Sequence, residues 1–326
     1  MDRSSLIQPP VPTTVAPVQI CIWNQVRFEI PSDWEMLRFS KSLNEGQCAF
    51  ADRYAFRLEW TWKSVPHEPD FERILSAYRA SLEKKGRLKE PELDRIGDWH
   101  GLIGQEQFTE KSWTVEEGTL QAQLHEQERM VSRWGRYLPE QNRLAEFVFL
   151  GDPPRDRAFE SALLKSVRVE PVYPGNMQRW RAFGLDALAP ADFHLSACNV
   201  EPARCRLQFV SEDERESWTV QRLGMIDEWL KVSIPEWFQR QHPPAVQEMQ
   251  TREARQAGHD LLTASGVVPA RGLRQPLRHY DAAAWRCPSD GRLYTMRRLL
   301  SEPHGIAIHQ VPGMELACCP RVGALS

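Results

Sequence analysis

The side chains able to act as nucleophiles, bases or soft metal ligands gather in the second half of this chain. Cys198, Cys205, Cys287, Cys318 and Cys319 lie there, with His259, His279, His304 and His309. His279-Tyr280-Asp281 followed by Cys287 supplies the residue types of a nucleophile, a base and a group that orients the base. A thiol and an imidazole must meet in space, however, and nearness in sequence does not bring them together. Polar loop residues beside a buried Cys account for the same letters without any chemistry. His304, His309, Cys287 and the Cys318-Cys319 pair offer the mixed nitrogen and sulfur donors that zinc takes. On a strand, though, the odd spacing of His304 and His309 puts them on opposite faces. No two cysteines form a CxxC, and six residues separate Cys198 from Cys205, too many for a zinc knuckle. The expectation is therefore no metal, no cofactor and no catalytic residue. An enzyme or metal protein built around His259, His279, Asp281, Cys287 and His304 stands as the alternative.

Other chemistries leave no trace. There is no GxGxxG, no GxxxxGK[ST], no GxSxG elbow, no HExxH and no EF-hand loop. The 41 basic and 44 acidic side chains give a net charge of −3, which argues against a general nucleic-acid binder. Seven cysteines, an odd number in a chain without an export signal, predict reduced thiols. Cys21 and Cys48 sit in apolar alternation and read as small buried hydrophobes. Met1 to Pro17 is polar and Pro-rich and reads as a flexible tail rather than a signal peptide. No apolar run approaches the roughly 20 residues that span a bilayer. A cytoplasmic location is expected.

The unusual count is twelve Trp. Trp60 and Trp62 end a strictly alternating run that begins at Tyr54, with Phe56 and Leu58 between. Core packing is the simpler reading, and a groove for a partner peptide is the functional one. On the second reading Trp60, Trp62, Trp99, Trp134 and Trp285 are the candidate partner-binding residues.

The elements that must position these residues follow from local patterning. Ile20, Ile22, Val26, Phe28 and Ile30 alternate as a strand, stopped by the turn Pro31-Ser32-Asp33-Trp34. Pro69-Asp70 opens a helix with Phe71, Ile74, Leu75, Tyr78 and Leu82 on one face, closed by Lys84-Lys85-Gly86. Strands resume at Gly97–Gly104 and run through Trp113, Leu124–Trp134 and Leu144–Leu150, and Asp156 caps a last short helix. A helix is predicted around Met225, Ile226, Trp229, Leu230 and Trp237. The charged stretch Val246–Gln256 reads as a solvated helix face.

The same order of signals occurs twice, across the linker Pro171–Met177. Ala189-Pro190-Ala191-Asp192-Phe193 matches Ile30-Pro31-Ser32-Asp33-Trp34. Gly258-His259-Asp260-Leu261-Leu262 stands where Trp99-His100-Gly101-Leu102-Ile103 stands. Two hairpins each carry a Trp on the first arm and an Arg after the turn, Trp134 with Arg143 and Trp285 with Arg292. The expectation is a duplication: a tail at 1–17, one domain at 18–171 and a diverged copy at 178–326. The second copy gains most of the Cys and His and an insertion at Val267–Pro276.

The stretch Val26-Arg27-Phe28-Glu29-Ile30-Pro31-Ser32-Asp33-Trp34, with the later Gly97-Asp98-Trp99-His100-Gly101 strand, resembles the opening of the Mog1/PsbP-like superfamily and its DUF1795 and DcrB-like bacterial members. The resemblance implies an α+β chain of two tandem α/β/α sandwich domains, each an antiparallel sheet flanked by helices. It implies a mostly non-enzymatic role and carries no catalytic residues. The duplicated unit, the tryptophan surplus and the missing catalytic motifs point to a protein-binding adaptor or chaperone-like protein acting through a composite surface of the two domains, with another protein as partner. A structural subunit of a larger assembly is the further alternative.

Overall fold

In the computed structural model residues 17–86, 88–116, 119–151, 154–256, 258–270, 277–302 and 318 are described, with the backbone alone for 88, 90, 107–116 and 119–127. His304, His309, Cys319, most of the Pro-rich tail and much of the Val267–Pro276 insertion lie outside the described residues.

The chain opens with a hairpin of β1 (Val18–Trp23) and β2 (Val26–Pro31). Asn24 and Gln25, both at positive φ, make its tight turn. Then come β3 (Glu35–Phe39), β4 (Glu45–Ala51), β5 (Phe56–Ser64), α1 (Phe71–Lys84), β6 (Leu88–Ile96), β7 (Trp99–Glu116), β8 (Thr119–Leu138), β9 (Arg143–Gly151), α2 (Arg157–Ser166) and β10 (Arg168–Val169). The second half starts with another hairpin, β11 (Met177–Ala182) and β12 (Leu185–Pro190). It continues as β13 (His194–Glu201), β14 (Arg204–Val210), β15 (Ser217–Leu223), α3 (Ile226–Trp229), α4 (Ile234–Arg240), β16 (Gln247–Gln256), β17 (His259–Val268), β18 (Arg278–Arg286) and β19 (Leu293–Leu300).

The strands form three antiparallel sheets. One seven-stranded sheet has the order β3-β4-β5-β9-β8-β7-β6, and the other has the same order, β13-β14-β15-β19-β18-β17-β16. The two hairpins join in a five-stranded sheet, β10-β2-β1-β11-β12, through pairing of β1 with β11. Both halves thus share one sheet and one continuous core.

This overturns the expected α/β/α sandwiches. The protein is mostly β, and the described residues contain four α-helices, the longest being α1 with 14 residues. The inner face of each seven-stranded sheet is covered by the hairpin sheet rather than by a helical layer. Phe28 of β2 meets Phe50, Trp60 and Phe147 edge-on at 5.2–5.6 Å. Trp180 of β11 packs on Phe209 of β14 at 5.1 Å. Stacked sheets satisfy alternating sequences directly, because each strand offers one apolar face.

Three further expectations change. Val246–Gln256 is no helix but the edge strand β16, paired with β17 and almost wholly exposed. It has no apolar stripe to bury as a helix, and its charges suit an unpaired sheet edge. The helix around Met225–Trp237 breaks into α3 and α4, since Pro235 cannot sit in a helix interior and Ser233 caps a new start at Glu236 N–H. The β5 alternation also begins later than its letters imply. Asp52 Oδ1 accepts from the N–H groups of Tyr54 and Ala55, which turns the chain and leaves Tyr54 exposed.

The expected helix starts match the caps observed. Asp70 accepts from Arg73 N–H and Asp156 from Phe159 N–H. α1 lays Leu82, Leu75 and Tyr78 on Leu102, on the outer face of the first sheet.

Candidate functional site: an arginine-lined cleft

The five tryptophans proposed for partner binding are all in the core, at most 2% exposed, and present no face to a partner in this structure. Trp60 and Trp62 pack on each other, Trp99 donates to the Leu164 carbonyl, and Trp134 donates to Glu160. The His279, Asp281 and Cys287 set also fails to assemble. His279 lies on β18 and Cys287 just past its far end, roughly 25 Å away at the rise of an extended strand. Asp281 instead pairs with Arg298 at 2.8 Å.

A different site stands on the outer face of the second seven-stranded sheet. Alternation sends Arg204, Arg206 and Gln208 of β14 to this face, with Ser217, Thr219 and Gln221 of β15 and Arg297 of β19. Antiparallel register sets Gln208, Thr219 and Arg297 in one cross-strand row and Arg206, Gln221 and Thr295 in the next. Arg278 and Tyr280 of β18 complete the floor, while Trp229 and Trp237 from α3 and α4 form one wall. α4 covers only the β17–β18 side, where Phe238 packs on Ala264, Tyr280, Ala282 and Ala284. The rest of the face stays open as a cleft of about 520 Å³.

The charge in this cleft is one-sided. Among the described residues, five arginines line it and no Asp or Glu does. Arg298 is compensated by Asp281, but Arg204, Arg206, Arg278 and Arg297 have no carboxylate partner among the described residues. Arg206 donates to Gln208 at 2.7 Å, Arg297 reaches Gln241 at 3.5 Å, and Arg278 donates to the Arg215 carbonyl. The Nε atoms of Arg206 and Arg278 are buried without an acceptor. Burial, and then the charges of Arg204 and Arg297, pull Arg206 below the usual arginine range. Burial, with Arg297 behind it, likewise lowers His242, whose Nδ1 lies 2.9 Å from the Tyr280 hydroxyl. Positive charge held together without compensation has this effect on neighbouring bases.

The equivalent face of the first sheet is different. There Thr61 donates to Glu146, Arg133 pairs with Glu106 at 3.1 Å, and Glu59 stands beside Ala49 and Val148. The same topology carries a balanced face in one half and a cationic cleft in the other.

The whole-chain charge balance concealed this cleft from the sequence, because acidic residues elsewhere cancel the arginines in the sum. The usable signal was local: Arg204 and Arg206 at period two, with Gln208 continuing the face. Of Cys198 and Cys205, also in this half, the first is half-buried and the second buried, and burial pushes the Cys205 thiol up to about 11.

Comparison with known proteins adds little. No family model matches the chain, and no curated protein matches it. A solved structure from Bacteroides thetaiotaomicron VPI-5482 is similar at 14% identity over 52% of this chain, with a TM-score of 0.31. The match spans about half of that protein, 54% of its length, and a likeness of this degree carries no argument. Nothing in these matches bears on the Mog1/PsbP-like resemblance. Among the described residues no helix is long and apolar enough to cross a membrane.

Proposed function

We propose that the protein is a binding module whose second half holds an acidic segment of a partner protein in the arginine-lined cleft. The observation that carries this reading is a cleft with four arginines that, among the described residues, have no carboxylate partner and no acidic neighbour in its lining. Arginine matches carboxylates in a planar, bidentate geometry and keeps its charge at any physiological pH. The cationic floor spans four adjacent strands, β14, β15, β19 and β18, so it extends about 14 Å across the sheet. That breadth, with an open top and Trp229 and Trp237 at the side, suits an extended segment with several carboxylates better than one small enclosed anion. The reading keeps the adaptor role expected from the sequence but moves the contact from the tryptophans in the core to the arginines outside it.

The test is a titration of the full chain at low salt with a peptide of alternating glutamate and alanine. A glutamine analogue and inorganic tripolyphosphate serve as comparisons. The glutamate peptide is expected to change tryptophan fluorescence through Trp229 and Trp237, to weaken with added salt, and to raise the pKa of His242 as its carboxylates offset Arg297. The glutamine peptide is expected to leave both signals unchanged. Binding of tripolyphosphate alone would replace the peptide reading with a small-anion site. No response to any of the three, or equal response to the glutamine peptide, would refute the reading.

A further inference from the structure

A second cluster lies on the inner face of the same sheet and is independent of the cleft. His259 opens β17, Cys287 follows β18, and Cys318 lies beyond β19. The donor atoms of these three residues lie within 4.8 Å of one another. His259 Nε2 is 3.3 Å from Cys318 Sγ, and the indole Nε1–H of Trp285 donates to the same sulfur at 3.3 Å. His259 and Cys287 are buried and Cys318 is half-buried.

The first half shows what this corner of the fold does. Trp99 opens β7 opposite Ile96, and two residues on Gly101 faces Trp134. His259 opens β17 opposite Gln256, and two residues on Leu261 faces Trp285. His259 therefore occupies the place of Trp99, one position from where the sequence patterns align, and Trp285 occupies that of Trp134. In the first half these two indoles hold the segment that follows the last strand: Trp99 donates to Leu164 O at 3.1 Å and Trp134 to Glu160 at 3.2 Å, both on α2. In the second half the corresponding pair meets Cys318, which lies beyond β19, the last strand among the described residues.

The substitution is chemically specific. It exchanges an indole for an imidazole and brings two thiols to it, which is the donor set of zinc. Tetrahedral zinc, with bonds of about 2.0 Å to nitrogen and 2.3 Å to sulfur, places N and S about 3.5 Å apart and two sulfurs about 3.8 Å apart. The 3.3 Å contact already fits, and the widest separation needs a contraction of about 1 Å, within side-chain rotation. The Trp285 N–H is the outer hydrogen bond that orients and stabilises a ligating thiolate. A cavity of about 730 Å³ lies beside the cluster and is lined by both His259 and Trp285.

We infer that His259 Nε2 and the thiolates of Cys287 and Cys318 bind a zinc ion, which fastens Cys318 to the second sheet as α2 is fastened to the first. Three protein donors leave the fourth tetrahedral position to a water. Binding displaces the two thiol protons to solvent, and no redox change is involved.

The test uses the full chain without a histidine tag, reduced, loaded with Zn(II) and desalted before elemental analysis. Wild type is expected to retain about one zinc per chain. With Co(II) instead, it is expected to show thiolate-to-metal charge-transfer absorption. Cys287→Ser, Cys318→Ser and His259→Gln are each expected to lower metal retention at least tenfold with circular dichroism unchanged. Should the buried Cys287→Ser variant misfold, the half-buried Cys318→Ser variant decides the matter. No retained metal in the wild type, or undiminished retention in Cys318→Ser, would overturn the site. So would a Cys287–Cys318 disulfide in a protein that takes up no metal after reduction.

Discussion

Replacing Arg206 and Arg297 together by glutamate is expected to weaken binding of the glutamate peptide at least a hundredfold while leaving thermal stability level or slightly raised. Each charge-assisted hydrogen bond lost costs about 1.5–3 kcal/mol, and two of them exceed a hundredfold in affinity before any new repulsion is counted. The stability side follows from the unbound cleft. Arg206 is lowered by burial and by the charges of Arg204 and Arg297, so these arginines oppose one another in the absence of a ligand. The reversed charges would face Arg204 and Arg278 across the same floor and relieve that repulsion. Binding and stability thus move in opposite directions. Peptide titration and thermal melts on the same preparations check both, and loss of binding accompanied by a large fall in melting temperature would show instead that the arginines support the fold.

The second large effect concerns the seam between the halves. Trp180→Ala is expected to destabilise the protein by about 3–5 kcal/mol, the range for removing a large aromatic from a packed core. Trp180 is 2% exposed and meets Trp23 edge-on at 5.2 Å as well as Phe209 of the second sheet. Trp23 in turn touches Phe39 and Phe183, residues of opposite halves. The hydrogen-bonded join between β1 and β11 is short, with Ile22 opposite Arg181, so the aromatic contacts bear much of the connection. Urea unfolding of the variant is expected to lose cooperativity as well as midpoint, because each half keeps its own seven-stranded sheet. A loss below about 1 kcal/mol would mean that the core closes over the gap and the seam lies elsewhere.

Much of the local structure is legible in the sequence because local chemistry decides it. Asp70 and Asp156 announce their helices by capping, Pro31 stops its strand, and the hairpin turns before Arg143 and Arg292 sit where glycine or asparagine allows positive φ, at Asn142 and Gly291. The layer arrangement is not local. Alternating strands state that one face is buried but not what covers it, and the α/β/α expectation supplied helices where the structure uses the shared hairpin sheet. β16 went wrong for a related reason: a run of Arg, Glu and Gln fits a solvated helix or a sheet edge equally, and only its pairing with β17 decides.

The two sites differ in the same way. The cleft needed cross-strand register to bring Arg297 beside Thr219 and within one strand of Gln208. The metal-ligand cluster needed it to bring His259, Cys287 and Cys318 together from well-separated segments, which no CxxC spacing announces. One position of register also mattered. Sequence alignment set His259 against His100, whereas the pairing sets it against Trp99, and that shift turns an unremarkable surface match into a ligand in the core.

On this reading the second half's cationic cleft, and not the balanced face of the first half, receives the acidic segment. Arginine Nε–H signals followed by NMR during titration with the glutamate peptide test it most directly. Signals of Arg204, Arg206, Arg278 and Arg297 are expected to move together and saturate, with the buried Nε–H groups of Arg206 and Arg278 shifting as acceptors reach the cleft, while Arg57 and Arg133 in the first half stay fixed. Shifts confined to Arg57 and Arg133, or spread evenly over all arginines without saturation, would contradict it.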